Sequence, residues 1–193
     1  MEEQTRSFPS SDEVEIELKR ERYRKKYKLS MKSTIFTLIT VAAVAILVAT
    51  LWLPVLEIYG DSMTPGLADG EIVVSTKSST FTRGEVIAFY YNNKVLIKRV
   101  IATAGETVDI KDDGTVFING EEIIEDYITD KSFGNSDIEY PYQVPENKIF
   151  VMGDHRSVSV DSRNTVIGCV AEEQIVGKIV FRVWPLKDFG FIG

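Results

Sequence analysis

Apolar residues are spread along this chain in two different patterns. From Thr34 to Leu53 the run TIFTLITVAAVAILVATLWL holds twenty residues without a charge, and at 1.5 Å of rise per residue it covers about 30 Å of hydrocarbon. Beyond it, apolar positions come in short β-branched runs broken by turn residues: EIVVSTK from 71, EVIAFYY from 85, VLIKRVIAT from 95, ETVDIK and TVFING on either side of Asp113-Gly114, and KIFVMG from 148. The first pattern predicts one transmembrane helix over residues 34–54. The second predicts strands, with Asp113-Gly114 turning a hairpin. No long amphipathic stretch lies between these runs to make the crossovers of a parallel sheet, so residues 55–193 are expected to form a largely antiparallel, mainly β domain. Residues 121–146 are acidic and aromatic, contain Pro141 and Pro145, and read as a loop or small excursion.

The charges flanking the apolar run set an orientation. Lys19, Arg20, Arg22, Arg24, Lys25, Lys26, Lys28 and Lys32 precede it, opposed locally by Glu21, while Glu57 and Asp61 follow it. The positive-inside bias places residues 1–33 in the cytoplasm as a basic tail and residues 55–193 on the outer side. Residues 1–18 have no apolar period and read as flexible. The apolar run ends in Leu-Trp-Leu-Pro rather than in small residues, which favours a retained anchor over a cleaved signal; a buried core helix is the competing reading.

Composition narrows the possible functions. With 44% hydrophobic and 26% charged residues the chain can bury a real core, which excludes disordered and collagen-like classes. The net charge of −7 is uneven: nine basic against seven acidic residues lie in 1–33, and thirteen against twenty-two in the rest. That acidic remainder argues against a nucleic-acid partner. Cys169 is the single cysteine, so there is no intramolecular disulfide, and no Cys/His cluster offers a metal site; neither metal nor cofactor is expected. Outside the membrane a lone thiol persists only if buried or protected.

Three segments carry candidate chemistry. In GDSMTPGL at 60–67, Ser62 follows an extended run and precedes a turn containing Pro65 and Gly66. Taken alone it reads as a turn serine bonding local backbone. Strand alternation puts Lys98 between Leu96 and Val100 on one face, with Arg99 pointing the other way. Such a lysine is either a base whose reference pKa of about 10.4 is lowered by desolvation, or a snorkelling stem covering apolar surface. In VMGDHRSVSVDSRN at 151–164, Asp154, His155, Arg156, Asp161 and Arg163 lie among three serines directly after a strand. This reads as a hydrogen-bonded loop, from which a hydroxyl could orient Lys98.

Together GDSMTPGL, IKRVIATAGETV and VMGDHRSVSVDSR resemble, in order and context, the motifs of bacterial type I signal peptidases, membrane-bound serine endopeptidases. The resemblance covers the anchor and nearly all of residues 55–185. It implies a β-barrel-like catalytic domain on the outer face of the cell membrane, Ser62 as nucleophile and Lys98 as general base. It also implies Ser159 as the hydroxyl that positions the lysine amine, and Asp161 with Arg163 as a structural ion pair. The implied substrates are exported preproteins, cut after small side chains at the end of the signal peptide. The family motif commonly begins Gly-Asp-Asn-Arg, so His155 stands where asparagine is usual. Some relatives carry a hydroxyl residue where this chain has Gly60, leaving the oxyanion region to Gly60, Asp61 and the Ser62 amide. An extended substrate is expected along strand edges near 56–60 and 95–97, touching Ile58, Tyr59, Met63, Leu96 and Ile97. Ile58, Tyr59 and Met63 are further expected to form an exposed apolar surface near Ser62. The competing reading from another class is a membrane-anchored, non-catalytic β module that keeps the fold and binds exported partners, against which the presence of both Ser62 and Lys98 argues.

Overall fold

A computed structural model of the chain describes residues 11–192; the expectation for residues 1–10 of the tail lies outside the described residues. The chain divides into two compact units, Met1–Ala49 and Thr50–Gly193.

The first unit is built on helix α1, which spans Ser11–Trp52 without a break. Helix therefore begins well before the apolar run, and residues 11–18 are helical rather than flexible. The polar first half carries its own support, because Lys19 pairs with Glu15 at 2.9 Å and Arg20 with Glu17 at 3.4 Å, one helical turn apart. Each such pair contributes a few tenths of a kcal/mol. In the apolar half Thr34, Thr37 and Thr40 return their hydroxyls to the carbonyls of Ser30, Ser33 and Phe36 at 2.9 to 3.0 Å, which hides their polarity. The helix is long and apolar enough to cross a membrane. It stops before Pro54, whose ring and missing N–H oppose continuation.

The sheets of the second unit are antiparallel throughout. In chain order its strands are β1 (Val55–Glu57), β2 (Ile72–Thr76), β3 (Val86–Tyr91), β4 (Lys94–Ala102), β5 (Thr107–Ile110), β6 (Val116–Ile118), β7 (Glu121–Glu122), β8 (Tyr142–Gln143), β9 (Lys148–Met152), β10 (Val170–Ala171), β11 (Ile175–Trp184) and β12 (Gly190–Phe191). The larger sheet runs β1-β2-β11-β3-β4-β9-β10, with β12 also on β11; the smaller runs β7-β6-β5-β8. The larger sheet ends on β1 and β10 and stays open. All six runs expected from the sequence are strands, and β5 and β6 pair as a hairpin around Asp113-Gly114, Ile110 opposite Val116. The excursion at 121–146 supplies β7 and β8 to the smaller sheet. Ile101, Phe150 and Met152 of the larger sheet share one core with Val108, Ile110, Val116 and Ile118 of the smaller. Cys169 is half-buried, and burial pushes its thiol pKa up.

Two features of this pairing shape the site. β4 pairs with β3 from Lys94 opposite Tyr91 to Arg99 opposite Val86, but pairs with β9 only from Arg99 onward. Residues 94–98 therefore keep one free edge, as β1 does at the end of the sheet. Between β1 and β2 the chain makes a long excursion, closed at its base by Ile58 N–H to Glu71 O at 2.8 Å and Gly70 N–H to Ile58 O at 2.9 Å. Ile58, Met63 and Leu67 pin it from beneath, packing with Val73, Val86, Ala88 and Ile179.

Candidate active site

Ser62 sits on that excursion, in a turn closed by Thr64 N–H to Asp61 O at 3.2 Å and Leu67 N–H to Met63 O at 2.8 Å. Lys98 reaches it from the middle of β4, and its Nζ lies 2.6 Å from Ser62 Oγ. Lys98 is only 4% exposed. Desolvation dominates its electrostatics and lowers its pKa below that of an ordinary lysine; Asp161 and Asp154 pull the other way without reversing it. A lysine with a lowered pKa beside a serine hydroxyl is a base next to a nucleophile.

The pair opens on a small pocket of about 70 Å³, bounded by Ile58, Tyr59, Gly60 and Met63 on one side and by Leu96 and Ile97 on the other. The residues expected to meet substrate thus line one pocket with Ser62 and Lys98. The expected exposed apolar surface is different: Ile58 and Met63 are 2% exposed, being part of the core that holds the turn, and of the three only Tyr59, at 79%, faces solvent.

Gly60 has φ +85°, and a Cβ built there would meet nothing within 4 Å. Its N–H donates to Asp69 Oδ1 at 2.6 Å. Glycine is required here by backbone conformation and not by crowding. The N–H of Ser62 itself makes no hydrogen bond among the described residues and is free for an oxyanion. Gly60→Ser and Gly60→Ala are therefore both expected to destabilise the domain by about 1–2 kcal/mol, the cost of a left-handed L-residue, with no gain in kcat from the serine hydroxyl. Thermal unfolding and steady-state kinetics check this; a serine variant faster than the wild type would show that a hydroxyl here can reach the reacting oxygen.

The segment 153–163 closes the other side of the site. Gly153 admits no side chain, because a Cβ would overlap Ser62 O and Ser159 Oγ. Asp161 accepts the Gly153 N–H at 3.0 Å and takes Arg163 Nε and Nη2 at 2.8 and 2.9 Å. Arg163 also donates to Phe133 O at 3.0 Å and Arg156 O at 2.8 Å. The remaining charges in the segment find partners outside it. Asp154 takes Arg99 bidentately at 2.8 and 2.7 Å, so the β4 residue next to Lys98 is buried rather than solvated. Arg156 makes two bonds to Glu125, one at 2.9 Å, and the Arg99 guanidinium stacks 4.1 Å from the Tyr127 ring centre. Glu125 and Tyr127 escaped sequence reasoning, since nothing marks one glutamate in EEIIEDY as buried. His155 lies against the backbone of the Ser62 turn, its Nδ1 3.0 Å from Thr64 Oγ1. Ser159 Oγ is buried and bonds to nothing among the described residues; the contact to Lys98 that the resemblance implies is not made, and the amine bonds Ser62 instead.

Residues 31–184 match the family described as signal peptidase, peptidase S26. The chain belongs to that family. Its relatives include signal peptidase IB of Staphylococcus aureus (strain COL), 38% identical over 153 residues, or 68% of this chain and 78% of that protein. Signal peptidase I of Bacillus amyloliquefaciens is 36% identical over 164 residues, or 78% of this chain and 84% of that protein. Among solved structures, the crystal structure of a signal peptidase I from Enterococcus faecalis V583 aligns with 52% of this chain and 97% of its own at 32% identity, with a TM-score of 0.42. As a member of the peptidase S26 family this chain is a peptidase, and the matched residues 31–184 take in Ser62, Lys98 and the whole 153–163 segment.

Proposed function

We propose that this chain is a membrane-bound signal peptidase that removes N-terminal signal peptides from exported preproteins, with Ser62 as nucleophile and Lys98 as general base. The observation that carries the assignment of roles is the 2.6 Å separation of a buried lysine amine from a serine hydroxyl at the mouth of a pocket. The Ser62 O–H donates to the neutral Nζ as Oγ attacks the scissile carbonyl, and the Ser62 N–H meets the developing oxyanion. The tetrahedral intermediate collapses as the Lys98 ammonium protonates the leaving amine, which frees the mature protein and leaves an acyl-enzyme. Lys98 then takes a proton from water, whose oxygen attacks the acyl carbon, and returns that proton to the departing Ser62 Oγ as the signal peptide is released. Ser159, whose buried hydroxyl has no partner among the described residues, is the group we assign to orient the Lys98 amine when it turns away from Ser62. The free edges of β1 and of residues 94–98 offer backbone groups to an extended peptide.

Residues 34–54 cross the bilayer, residues 1–33 lie in the cytoplasm and residues 55–193 form the catalytic domain outside. Anchoring serves geometry, since it holds the site in the plane where a signal peptide's end emerges and raises the effective concentration. The direct test incubates the purified full chain in detergent with a preprotein and sequences the product. A single new N-terminus at the end of the signal peptide is expected; an uncut preprotein would refute the assignment.

Because Lys98 works only when neutral, kcat/KM is expected to rise with pH along an acid limb set below the ordinary lysine pKa. The same shift acts on stability. The unfolded chain holds a proton on this lysine up to about pH 10.4 and the folded chain releases it earlier, so stability rises with pH between the two values. Lys98→Met is expected to flatten that rise and to be more stable than wild type at neutral pH, as read by thermal unfolding across a pH series.

A further inference from the structure

His155 touches neither Ser62 Oγ nor Lys98 Nζ, yet it is bonded to three residues of the nucleophile's turn. Its N–H donates to Ser62 O at 3.1 Å, and its Nδ1 lies 3.0 Å from Thr64 Oγ1 and 3.3 Å from Asp61 O. Its own carbonyl accepts the N–H groups of Val158 and Ser159, at 3.2 and 3.1 Å, at the start of the loop that carries Ser159. One residue therefore fastens the turn of Ser62 to the loop of Ser159.

The network assigns the proton on the ring. The Thr64 hydroxyl has one hydrogen, and that hydrogen is committed to Asp61 O at 2.9 Å. Thr64 Oγ1 and Asp61 O then both face Nδ1 as acceptors, so Nδ1 must carry a hydrogen for either contact to be favourable. We infer that His155 is a positioning residue for catalysis: its backbone N–H and its Nδ1–H hold the 61–64 turn so that Ser62 Oγ stays on the Lys98 amine. The inference rests on the Ser62–Lys98 reading of the site. The chemistry required at this position is a donor placed where Nδ1 is, not an imidazole base, and asparagine Nδ2 meets that requirement while aspartate, of the same shape, offers only acceptors. Misplacing a nucleophile by about 1 Å costs on the order of 10²-fold in rate, which sets the scale for losing the restraint.

The test compares His155→Asn, His155→Asp and His155→Ala in the full chain in detergent, with Ser62→Ala in parallel, on one preprotein-derived peptide, well below each variant's thermal midpoint. Ala and Asp are expected to lower kcat by about 10- to 100-fold with KM changed less than about twofold, whereas Asn keeps kcat within about threefold of wild type. Thr64→Val is expected to lower kcat in the same way and to add little to His155→Ala, because both cut the same tie. Wild-type kcat in His155→Ala, equal impairment of Asn and Asp, or full additivity with Thr64→Val would each overturn the inference. Activity retained in Ser62→Ala would overturn the dyad reading and this inference with it; activity lost there with wild-type kcat in His155→Ala overturns this inference alone.

Discussion

Ser62→Ala and Lys98→Ala are each expected to reduce cleavage by at least about 10³-fold, and the double variant is expected to lose no more than either single one. Non-additivity follows because the two groups form one chemical unit at 2.6 Å, and removing either half leaves the other with nothing to do. Lys98→Arg is the sharper probe. It keeps length and positive charge, but a guanidinium is never deprotonated in a protein and cannot accept the serine proton, so it should be as inactive as alanine. A charge-stabilising or merely structural lysine would tolerate that exchange. The measurement is turnover of a preprotein by purified variants whose circular dichroism matches wild type; appreciable turnover in either Lys98 variant would refute the base assignment.

The parts of this site that were visible in the sequence are those carried by local pattern. The β4 run reads as a strand from its β-branched residues, and Lys98 stands out because an amine interrupts an apolar face. The hairpin at Asp113-Gly114 is readable for a similar reason, since its glycine adopts φ +86°. Long-range placement was less visible. β11 carries the β-branched run IVGKIVFRVW, yet it lies outside the six segments expected, and only the fold shows that it bridges β2 and β3 at the centre of the larger sheet. Ile58 and Met63 look like surface for a substrate or lipid because they flank the nucleophile, but the turn needs buried anchors and takes these two. From sequence Gly60 is either a missing hydroxyl or a glycine that the backbone requires, and its φ of +85° decides for the second. The partners of Asp154 and Arg156 lie 55 and 31 residues away, and no local pattern encodes pairs at that separation.

The pair formed by Arg156 and Glu125 leads to the largest stability effect expected in the domain. Both side chains are essentially inaccessible, at 0% and 1% exposure. Glu125 comes from the 121–146 excursion, and Arg156 lies in the segment that closes the active site, where its Nε also donates to Gly153 O at 3.2 Å. Glu125→Ala would leave a guanidinium buried with one carbonyl in place of a carboxylate, a loss of about 3–5 kcal/mol when one member of a buried pair is removed. Denaturant unfolding should register it as a fall in midpoint with little change in slope. Replacing both members, as Glu125→Leu with Arg156→Met, removes the stranded charge and should recover much of that loss, since a buried ion pair and an apolar pair of similar volume are often close in free energy. Activity is expected to stay low in the double variant, because replacing Arg156 also takes its bond from Gly153 O, at the glycine whose Cβ position is filled by Ser62 O and Ser159 Oγ. If Glu125→Ala lowered the unfolding free energy by less than about 1 kcal/mol, the guanidinium would have found water or another acceptor, and the excursion would not be the brace of the 153–163 segment that its ion pair makes it.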